Sequence, residues 1–301
     1  MTDLGPLRTI DAGALNTAYH DLGPADGPVA FLMHGFPYAP HSYAEVAPLL
    51  NAQGIRTIIP YLRGYGPTRF LSDDTPRSGE QAVLGADLLA LMDALDIGNA
   101  VLAGYDWGGR AACVVSALWP ERARGLISCG CTFGYNIQDI ANAMTPAAPE
   151  YESAYWYQFY FHSERGRNGL TQNRHGIGKL LWRQWSPEWE FSDATYDASA
   201  QAFDTPDFVD VVIHSYRHRY GLVPGDPAVA TIQEKLARLP DITVPVIILQ
   251  GLADGVDPDR GEDLSKRHFT GPYDRRLLPG IGHNPPQEAP QVFAQAVLDL
   301  L

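Results

Sequence analysis

The stretch GYDWGG, residues 104–109, follows a short apolar run at residues 101–103 and precedes a run with helical periodicity at residues 108–118. This order predicts a strand, a tight turn and a helix, with Asp106 at the turn. Glycines suit such a turn, because a strained backbone leaves no room for larger side chains between strand and helix. A helix N-terminus also stabilises an ionised carboxylate. The alternative is that Asp106 only caps an ordinary helix.

Similar short apolar runs recur on both sides of this turn, separated by segments of helical length. Six of them predict parallel strands, at residues 29–33, 56–60, 101–103, 126–129, 246–250 and 275–278. Residues 7–22 predict an opening antiparallel pair that turns near Ala12 and Gly13. Helical periodicity is present at residues 81–95, 108–118 and 287–300. The alternation predicts an α/β fold with a mostly parallel twisted sheet of about eight strands and helices on both faces.

The alternation breaks in the middle of the chain. Residues 134–240 contain four of the six tryptophans and many tyrosines, and they predict helices and irregular turns without buried strands. We therefore predict a helical cap at residues 134–240, inserted after the sixth strand. Residues 1–133 and 241–301 would form the core domain.

The charge and the cysteines of the chain limit the classes of function that it could have. With 22 Lys and Arg against 35 Asp and Glu, the net charge of −13 would repel nucleic acid and anionic lipid and favours a neutral small molecule as substrate. The three cysteines, Cys113, Cys129 and Cys131, match no zinc or redox spacing and suggest a reducing compartment. No leader or membrane-spanning run is recognisable, so we expect a cytoplasmic protein. A homodimer is one of the oligomeric states that the sequence leaves open.

Two further polar residues follow predicted strands. Asp254 comes after the strand at 246–250, and His283 comes after the strand at 275–278. Because ligands bind at the carboxyl edge of an open parallel sheet, we expect both to converge with Asp106. Asp257 is a rival for the acid position, and Asp254 is preferred because it stands closer to the strand end.

Four stretches together resemble the α/β-hydrolase superfamily over nearly the whole chain. They are His34-Gly35-Phe36-Pro37, Arg63-Gly64-Tyr65-Gly66, the GYDWGG turn and Gly282-His283. The order nucleophile, acid, histidine is also that of the superfamily. The resemblance implies that the amides of Phe36 and Trp107 form an oxyanion hole, and that the bond from Phe36 to Pro37 is cis. His34, Pro37 and Trp156 are expected to line the substrate pocket.

An aspartate nucleophile restricts the chemistry. Attack on a saturated carbon gives an alkyl ester, whereas attack on a carbonyl would give an unproductive anhydride, so the plausible substrates are epoxides or alkyl halides. Water activated by His283, with Asp254 orienting the imidazole, would then hydrolyse the ester on Asp106. This chemistry needs no metal or organic cofactor. His214 and His218 are one helical turn apart, but they lack the further ligands of a zinc motif.

Two cap segments resemble those of the soluble epoxide hydrolases. Tyr157-Gln158-Phe159-Tyr160-Phe161 is similar to their Y-Q-x-Y-F segment, and Ser215-Tyr216-Arg217 is similar to their later x-Y-R segment. The resemblance implies that Tyr157 and Tyr216 stabilise and protonate the epoxide oxygen. One departure is Tyr105, since these relatives often have histidine before the nucleophile.

Two other functions stay open on the same scaffold. Haloalkane and haloacid dehalogenases use the same triad, but fluoroacetate dehalogenases carry D-R-G-G-R at the turn, and this chain keeps only the second arginine, Arg110. Arg110 leaves open the binding of an acidic substrate. A catalytically silent binding protein is the third hypothesis, because a fold alone never proves activity. An epoxide hydrolase is the leading hypothesis.

Overall fold

The computed structural model of the protein describes residues 4–301, apart from the side chains of residues 141 and 142. Within these residues one sheet has nine strands, in the order β1-β2-β4-β3-β6-β7-β8-β9, with β5 paired to β2. The strands are β1 (Leu7–Ala12), β2 (Leu15–Leu22), β3 (Val29–Met33), β4 (Arg56–Pro60), β5 (Arg69–Phe70), β6 (Ala100–Gly104), β7 (Ala123–Cys129), β8 (Val246–Gly251) and β9 (Tyr273–Leu278).

The predicted α/β class is confirmed, and the strand positions agree closely. The antiparallel pair β1 and β2 turns at Gly13, as predicted, and β2 pairs antiparallel with β4. From β4 to β9 the neighbouring strands of the main path are parallel. The ninth strand is β5, whose two residues are too few for any periodic pattern to reveal.

The described helices cover both faces of the sheet and fill the insertion. They are α1 (Val46–Asn51), α2 (Gln81–Ala94), α3 (Asp106–Leu118), α4 (Ile140–Ala143), α5 (Pro149–Ala154), α6 (Trp156–His162), α7 (Glu164–Trp185), α8 (Asp193–Ala200), α9 (Phe208–Arg219), α10 (Ala230–Leu236), α11 (Pro285–Glu288) and α12 (Pro290–Leu298). Short 3₁₀ turns lie among them, at Pro40–Tyr43, Pro120–Arg122, Gln201–Phe203, Pro227–Val229 and Lys266–His268. Among the described residues, no helix is long and apolar enough to cross a membrane.

Burial explains why the central strands are apolar along their whole length. All five residues of β6 and all six of β8 are buried, because helices cover the sheet on both faces. The edge strand β9 has only its last residue, Leu278, buried. The strands β6, β8 and β9 are parallel, so the loops that follow them meet at one edge of the sheet.

The segment between β7 and β8 contains helices α4 to α10 and no strand of the described sheet. It lies against the loop that follows β3: the indole N–H of Trp182 in α7 donates to the carbonyl of Pro37 at 2.8 Å. The ring of Trp182 also stacks on Tyr38, with centroids 4.7 Å apart. The division into a core and a cap at residues 134–240 remains a prediction.

Candidate active site

Asp106 stands at the turn between β6 and α3, with a backbone φ of +50°. This left-handed conformation is uncommon for a residue other than glycine and stores strain at a turn that presents one side chain. The neighbouring glycines have no space for a side chain. A Cβ on Gly104 would lie 2.4 Å from the Gly108 backbone, and a Cβ on Gly108 would lie 2.0 Å from the Met33 carbonyl.

Two backbone amides hold the Asp106 carboxylate. The Phe36 N–H donates to Oδ1 at 2.7 Å, and the Trp107 N–H also hydrogen-bonds to the carboxylate. The peptide bond between Phe36 and Pro37 is cis, as the resemblance implies. In the resting protein Oδ1 therefore occupies the position that an oxyanion on the same carboxyl carbon would take, where such donors stabilise negative charge.

His283 faces both predicted carboxylates. Its Nδ1 is 2.8 Å from Oδ2 of Asp254, whose other oxygen accepts the N–H groups of Val256 and Asp257. Its Nε2 is 3.7 Å from Oδ2 of Asp106, which is longer than a hydrogen bond. The rival Asp257 turns away and accepts hydrogen bonds from the backbone of Thr132 instead. His283 thus lies between the two carboxylates, with Asp254 at its Nδ1 and Asp106 near its Nε2.

Asp106 and His283 shift each other's pKa. Burial alone would raise the pKa of Asp106, but His283 and the Phe36 and Trp107 amides outweigh it and lower that pKa. Burial alone would lower the pKa of His283, yet the two carboxylates outweigh it and raise the pKa to about 10. The resting site is therefore an aspartate anion next to an imidazolium, with Asp254 on the far side of the ring.

The two predicted phenols lie next to each other, against Phe36. The rings of Tyr157 in α6 and Tyr216 in α9 are perpendicular, with centroids 5.3 Å apart, and both are buried. Each also packs on the Phe36 ring, at 6.4 Å for Tyr157 and 5.5 Å for Tyr216. Tyr216 reaches the Trp107 ring as well, at 5.9 Å. Both phenols thus contact Phe36, and Tyr216 also contacts Trp107, the second residue whose amide holds the Asp106 carboxylate.

Both phenol hydroxyls keep their hydrogen available. The Tyr157 oxygen accepts from Nε2 of Gln158 at 3.0 Å, so its own hydrogen can point elsewhere. Among the described residues, the Tyr216 hydroxyl has no hydrogen-bond partner. A buried hydroxyl without a partner is unusual and marks a place where a polar group of a ligand would fit.

The three predicted pocket residues differ in what their polar atoms do. His34 uses Nδ1 on its neighbour's carbonyl at 3.0 Å and Nε2 on the Leu62 N–H at 3.1 Å, so both ring nitrogens are occupied by backbone. Pro37 accepts the hydrogen bond from Trp182. Trp156 is half-buried, packs on Tyr157 with centroids 6.4 Å apart and donates to a glutamine of α7. Their assignment to the pocket remains a prediction.

Sequence reasoning overlooked a support beneath the turn. The Asn136 amide donates to the Asp106 carbonyl at 2.7 Å, and Arg110 donates to the amide oxygen of Asn136 at 2.9 Å. Arg110 is buried, and burial together with nearby Arg219 lowers its pKa. Asn136 lies in no recognisable motif, so nothing in the sequence could identify it.

Trp185 and Phe133 also adjoin the site without having been predicted. The Trp185 ring lies 5.0 Å from the His283 ring and 5.1 Å from the Tyr157 ring. Phe133 lies 6.4 Å from His283 and lines a cavity of about 580 Å³ that also reaches Gln158. The described residues that line this cavity include neither a triad residue nor either phenol, so it neighbours the site through Phe133 and Gln158. Among the described residues, no cluster of three His, Cys, Asp or Glu side chains could hold a metal.

Comparison with known proteins agrees with this geometry. A family model described as alpha/beta hydrolase fold matches residues 28–290. A crystal structure of a candidate epoxide hydrolase from Klebsiella pneumoniae superimposes with a TM-score of 0.94 and 48% identity, covering 98% of this chain and 96% of that one.

Curated relatives extend the likeness. Epoxide hydrolase A of Mycobacterium tuberculosis is 25% identical over 98% of this chain and 96% of its own length. Epoxide hydrolase 3 of Siraitia grosvenorii is 36% identical over 107 residues, which cover 36% of this chain and 33% of that protein. The chain thus spans about a third of the length of this plant relative.

Proposed function

The chain belongs to the alpha/beta hydrolase fold family, and from this membership and the geometry of the site we propose that it is an epoxide hydrolase, which adds water to an epoxide to give a vicinal diol. One observation carries the proposal: two buried phenols with available hydrogens, Tyr157 and Tyr216, pack on Phe36, whose amide holds the Asp106 carboxylate. The names of the Klebsiella pneumoniae and Mycobacterium tuberculosis relatives support it.

In the first half-reaction an Asp106 oxygen forms a bond to one epoxide carbon. The carbon–oxygen bond of the ring breaks, and its electron pair stays on the ring oxygen. That oxygen takes a proton from Tyr157 or Tyr216, which becomes a phenolate, while the other phenol donates a hydrogen bond to it. The product is a hydroxyalkyl ester of Asp106.

In the second half-reaction the imidazolium of His283 first releases a proton to solvent. A water molecule then gives a proton to Nε2 of the neutral ring, and its oxygen bonds to the carboxyl carbon of Asp106. The amides of Phe36 and Trp107 stabilise the oxyanion that forms. When it collapses, the ester oxygen leaves with the diol and takes the proton from His283. The regenerated carboxyl group returns its own proton to the phenolate, and His283 takes up a proton from solvent, so the resting site is restored.

Ester formation changes the basicity of His283 in the direction that this step needs. The Asp106 anion is one of the two attractions that raise the pKa of His283. An ester is neutral, so that attraction is lost once the alkyl group is attached. His283 becomes easier to deprotonate at the stage where it must act as a base, while Asp254 still orients it through Nδ1.

The remaining assignments complete the proposal. The helical segment at residues 134–240 acts as a cap that carries both phenols over the nucleophile. Trp156 and the loop from His34 to Pro37 contribute walls of the pocket. The three free cysteines favour a reducing compartment such as the cytoplasm.

Isotope labelling tests the covalent route. With the enzyme in excess over an epoxide in ¹⁸O water, the first-turnover diol should carry no ¹⁸O, and one ¹⁸O should appear in the peptide that contains Asp106. The peptide with Asp254 and Asp257 is the internal control and should stay unlabelled. An ¹⁸O-labelled first-turnover diol with unlabelled Asp106 would mean direct attack by water and would overturn the mechanism. Halide release from chloro- or fluoro-substituted substrates, with epoxides left intact, would identify a dehalogenase instead.

A further inference from the structure

Arg219 ends helix α9 and lies behind the phenol pair. It follows Tyr216 by three residues, a spacing that puts both side chains on one face of the helix. Its guanidinium carbon lies 5.1 Å from the centroid of the Tyr216 ring. A cation at this distance from an aromatic face is attracted by the ring's electrons.

Arg219 also reaches the second phenol through one amide. Its Nη1 lies 3.4 Å from Oε1 of Gln158, and the Tyr220 hydroxyl donates to the same oxygen at 3.1 Å. Because two donors meet at Oε1, the NH₂ group of Gln158 must face the other way, where it donates to the Tyr157 hydroxyl at 3.0 Å. One arginine is thus connected to both phenols.

Within the part of the chain that the structure describes, Arg219 lacks the ion pair that the nearby Arg217 forms. Two residues earlier, Arg217 pairs with Glu164 at 2.8 Å. Among the described residues no carboxylate forms such a pair with Arg219, and its Nε is buried without a hydrogen-bond partner. A partly buried cation without a counterion is costly, so its position calls for a negative charge that forms nearby.

The proposed reaction supplies that charge. Protonation of the epoxide oxygen leaves a phenolate on Tyr157 or Tyr216, in a buried site close to the Asp106 anion. Resting on the proposed function, we propose that Arg219 is a positioning residue that stabilises this phenolate, directly across the Tyr216 ring and through Gln158 at the Tyr157 oxygen. It would thereby assist ring opening and play no part in ester hydrolysis.

The electrostatics of the phenols agree with this role. Burial raises the pKa of Tyr157 and of Tyr216, and Asp106 raises both further. Arg219 lowers both. Of the influences identified on Tyr157, that of Arg219 is second only to burial. The cation therefore offsets part of the penalty that burial places on proton donation.

Single-turnover kinetics tests the proposal, because the two half-reactions can be separated. Formation of the ester is followed by quenched samples and mass spectrometry of the Asp106 peptide, and its decay is followed after the epoxide is exhausted. We expect Arg219→Met to slow ester formation at least about tenfold, the effect of losing a desolvated cation–π contact and one charge-assisted hydrogen bond. Ester decay should change less than about twofold, and Arg219→Lys should recover most of the lost rate.

A matched control separates charge at this site from charge in the cap. Arg167 in α7 pairs with Asp210 on the outer side of α9, so Arg167→Met should leave both rates unchanged. Equal slowing of formation and decay in Arg219→Met would indicate a general structural role and overturn the proposal. Unchanged ester formation in Arg219→Met would overturn it while leaving the epoxide hydrolase function intact. If the wild-type protein forms no ester with any epoxide, the proposed function and this inference both fail.

Discussion

The side-chain amide of Asn136 binds the backbone carbonyl of Asp106, 30 residues earlier in the chain, through a hydrogen bond of 2.7 Å. Arg110, one helical turn after Asp106, holds the other end of that amide at 2.9 Å. The strained turn that presents the proposed nucleophile is thus fixed from the side by a residue that follows β7. Such positioning matters for the reaction rate, because even a small displacement of a reacting group slows the reaction greatly.

Removal of this amide should lower both stability and rate. Asn136→Ala removes one partner of the Asp106 carbonyl and leaves one Arg110 donor without its acceptor, and each such loss costs about 1–3 kcal/mol. We expect the free energy of unfolding in urea to fall by about 2–4 kcal/mol. Ester formation and ester decay should both slow, because both use the carboxyl group of Asp106. Asn16→Ala, which removes an exposed amide contact with Asp11, is the control and should change neither quantity.

Tyr157 and Tyr216 should be needed for the hydrolysis of epoxides and dispensable for the reaction of alkyl halides. In Tyr157→Phe with Tyr216→Phe no phenol remains to protonate the ring oxygen, so kcat/KM for epoxides should fall by about 10² to 10⁴-fold. A halide ion needs no proton, so any activity on an alkyl halide should survive in the same variant. Tyr160→Phe is the control, since its hydroxyl lies toward Gly169 in the next helix. Full epoxide activity in the double variant would remove the phenols from the mechanism.

Replacement of the acid should trap the covalent intermediate. Asp254→Asn removes the attraction that orients His283 and raises its pKa. Ester decay should therefore slow by up to about 10⁴-fold, as when the acid of a related triad is replaced, and the alkylated protein should accumulate in intact-mass spectra. The pH at which ester decay reaches half its maximum should also move to lower values, because imidazolium is less stabilised. Asp257→Asn should not accumulate ester; accumulation there would identify Asp257 as the acid.

The sequence was sufficient to predict that Asp106, Asp254 and His283 lie together, and insufficient to predict the residues that contact them from the side. Asp106, Asp254 and His283 could be placed together because each follows a parallel strand, and parallel strands end at one edge. Gln158 and Arg219 stand within the recognisable phenol segments or one helical turn from them, yet their contact depends on how α6 meets α9. Asn136 and Trp185 carried no signal at all. Their contacts depend on how residues 134–240 pack on the rest of the chain, and periodicity cannot encode that packing.

The imidazolium of His283 should make stability depend on pH. Its pKa is raised from 6.5 to about 10 in the folded protein, so its contribution is fully present below pH 6.5 and is lost as the pH rises through about 10. The free energy of unfolding should therefore fall between pH 7 and pH 10. His283→Gln should remove this part of the pH dependence. Parallel curves for the two proteins would contradict the raised pKa.

One carbon added at Gly35 should lower the activity without unfolding the protein. A Cβ on Gly35 would lie 2.5 Å from the Cβ of Asp106 and 2.6 Å from its Oδ1, so Gly35→Ala must displace either the carboxylate or the Phe36 amide that binds it. A displacement near 1 Å costs about 10²-fold in rate, and we expect kcat/KM to fall at least that far. At Gly98 a Cβ would meet no atom within 4 Å, so Gly98→Ala should keep full activity. If both variants retain wild-type kcat/KM, the contact between the Phe36 amide and the nucleophile has no part in catalysis.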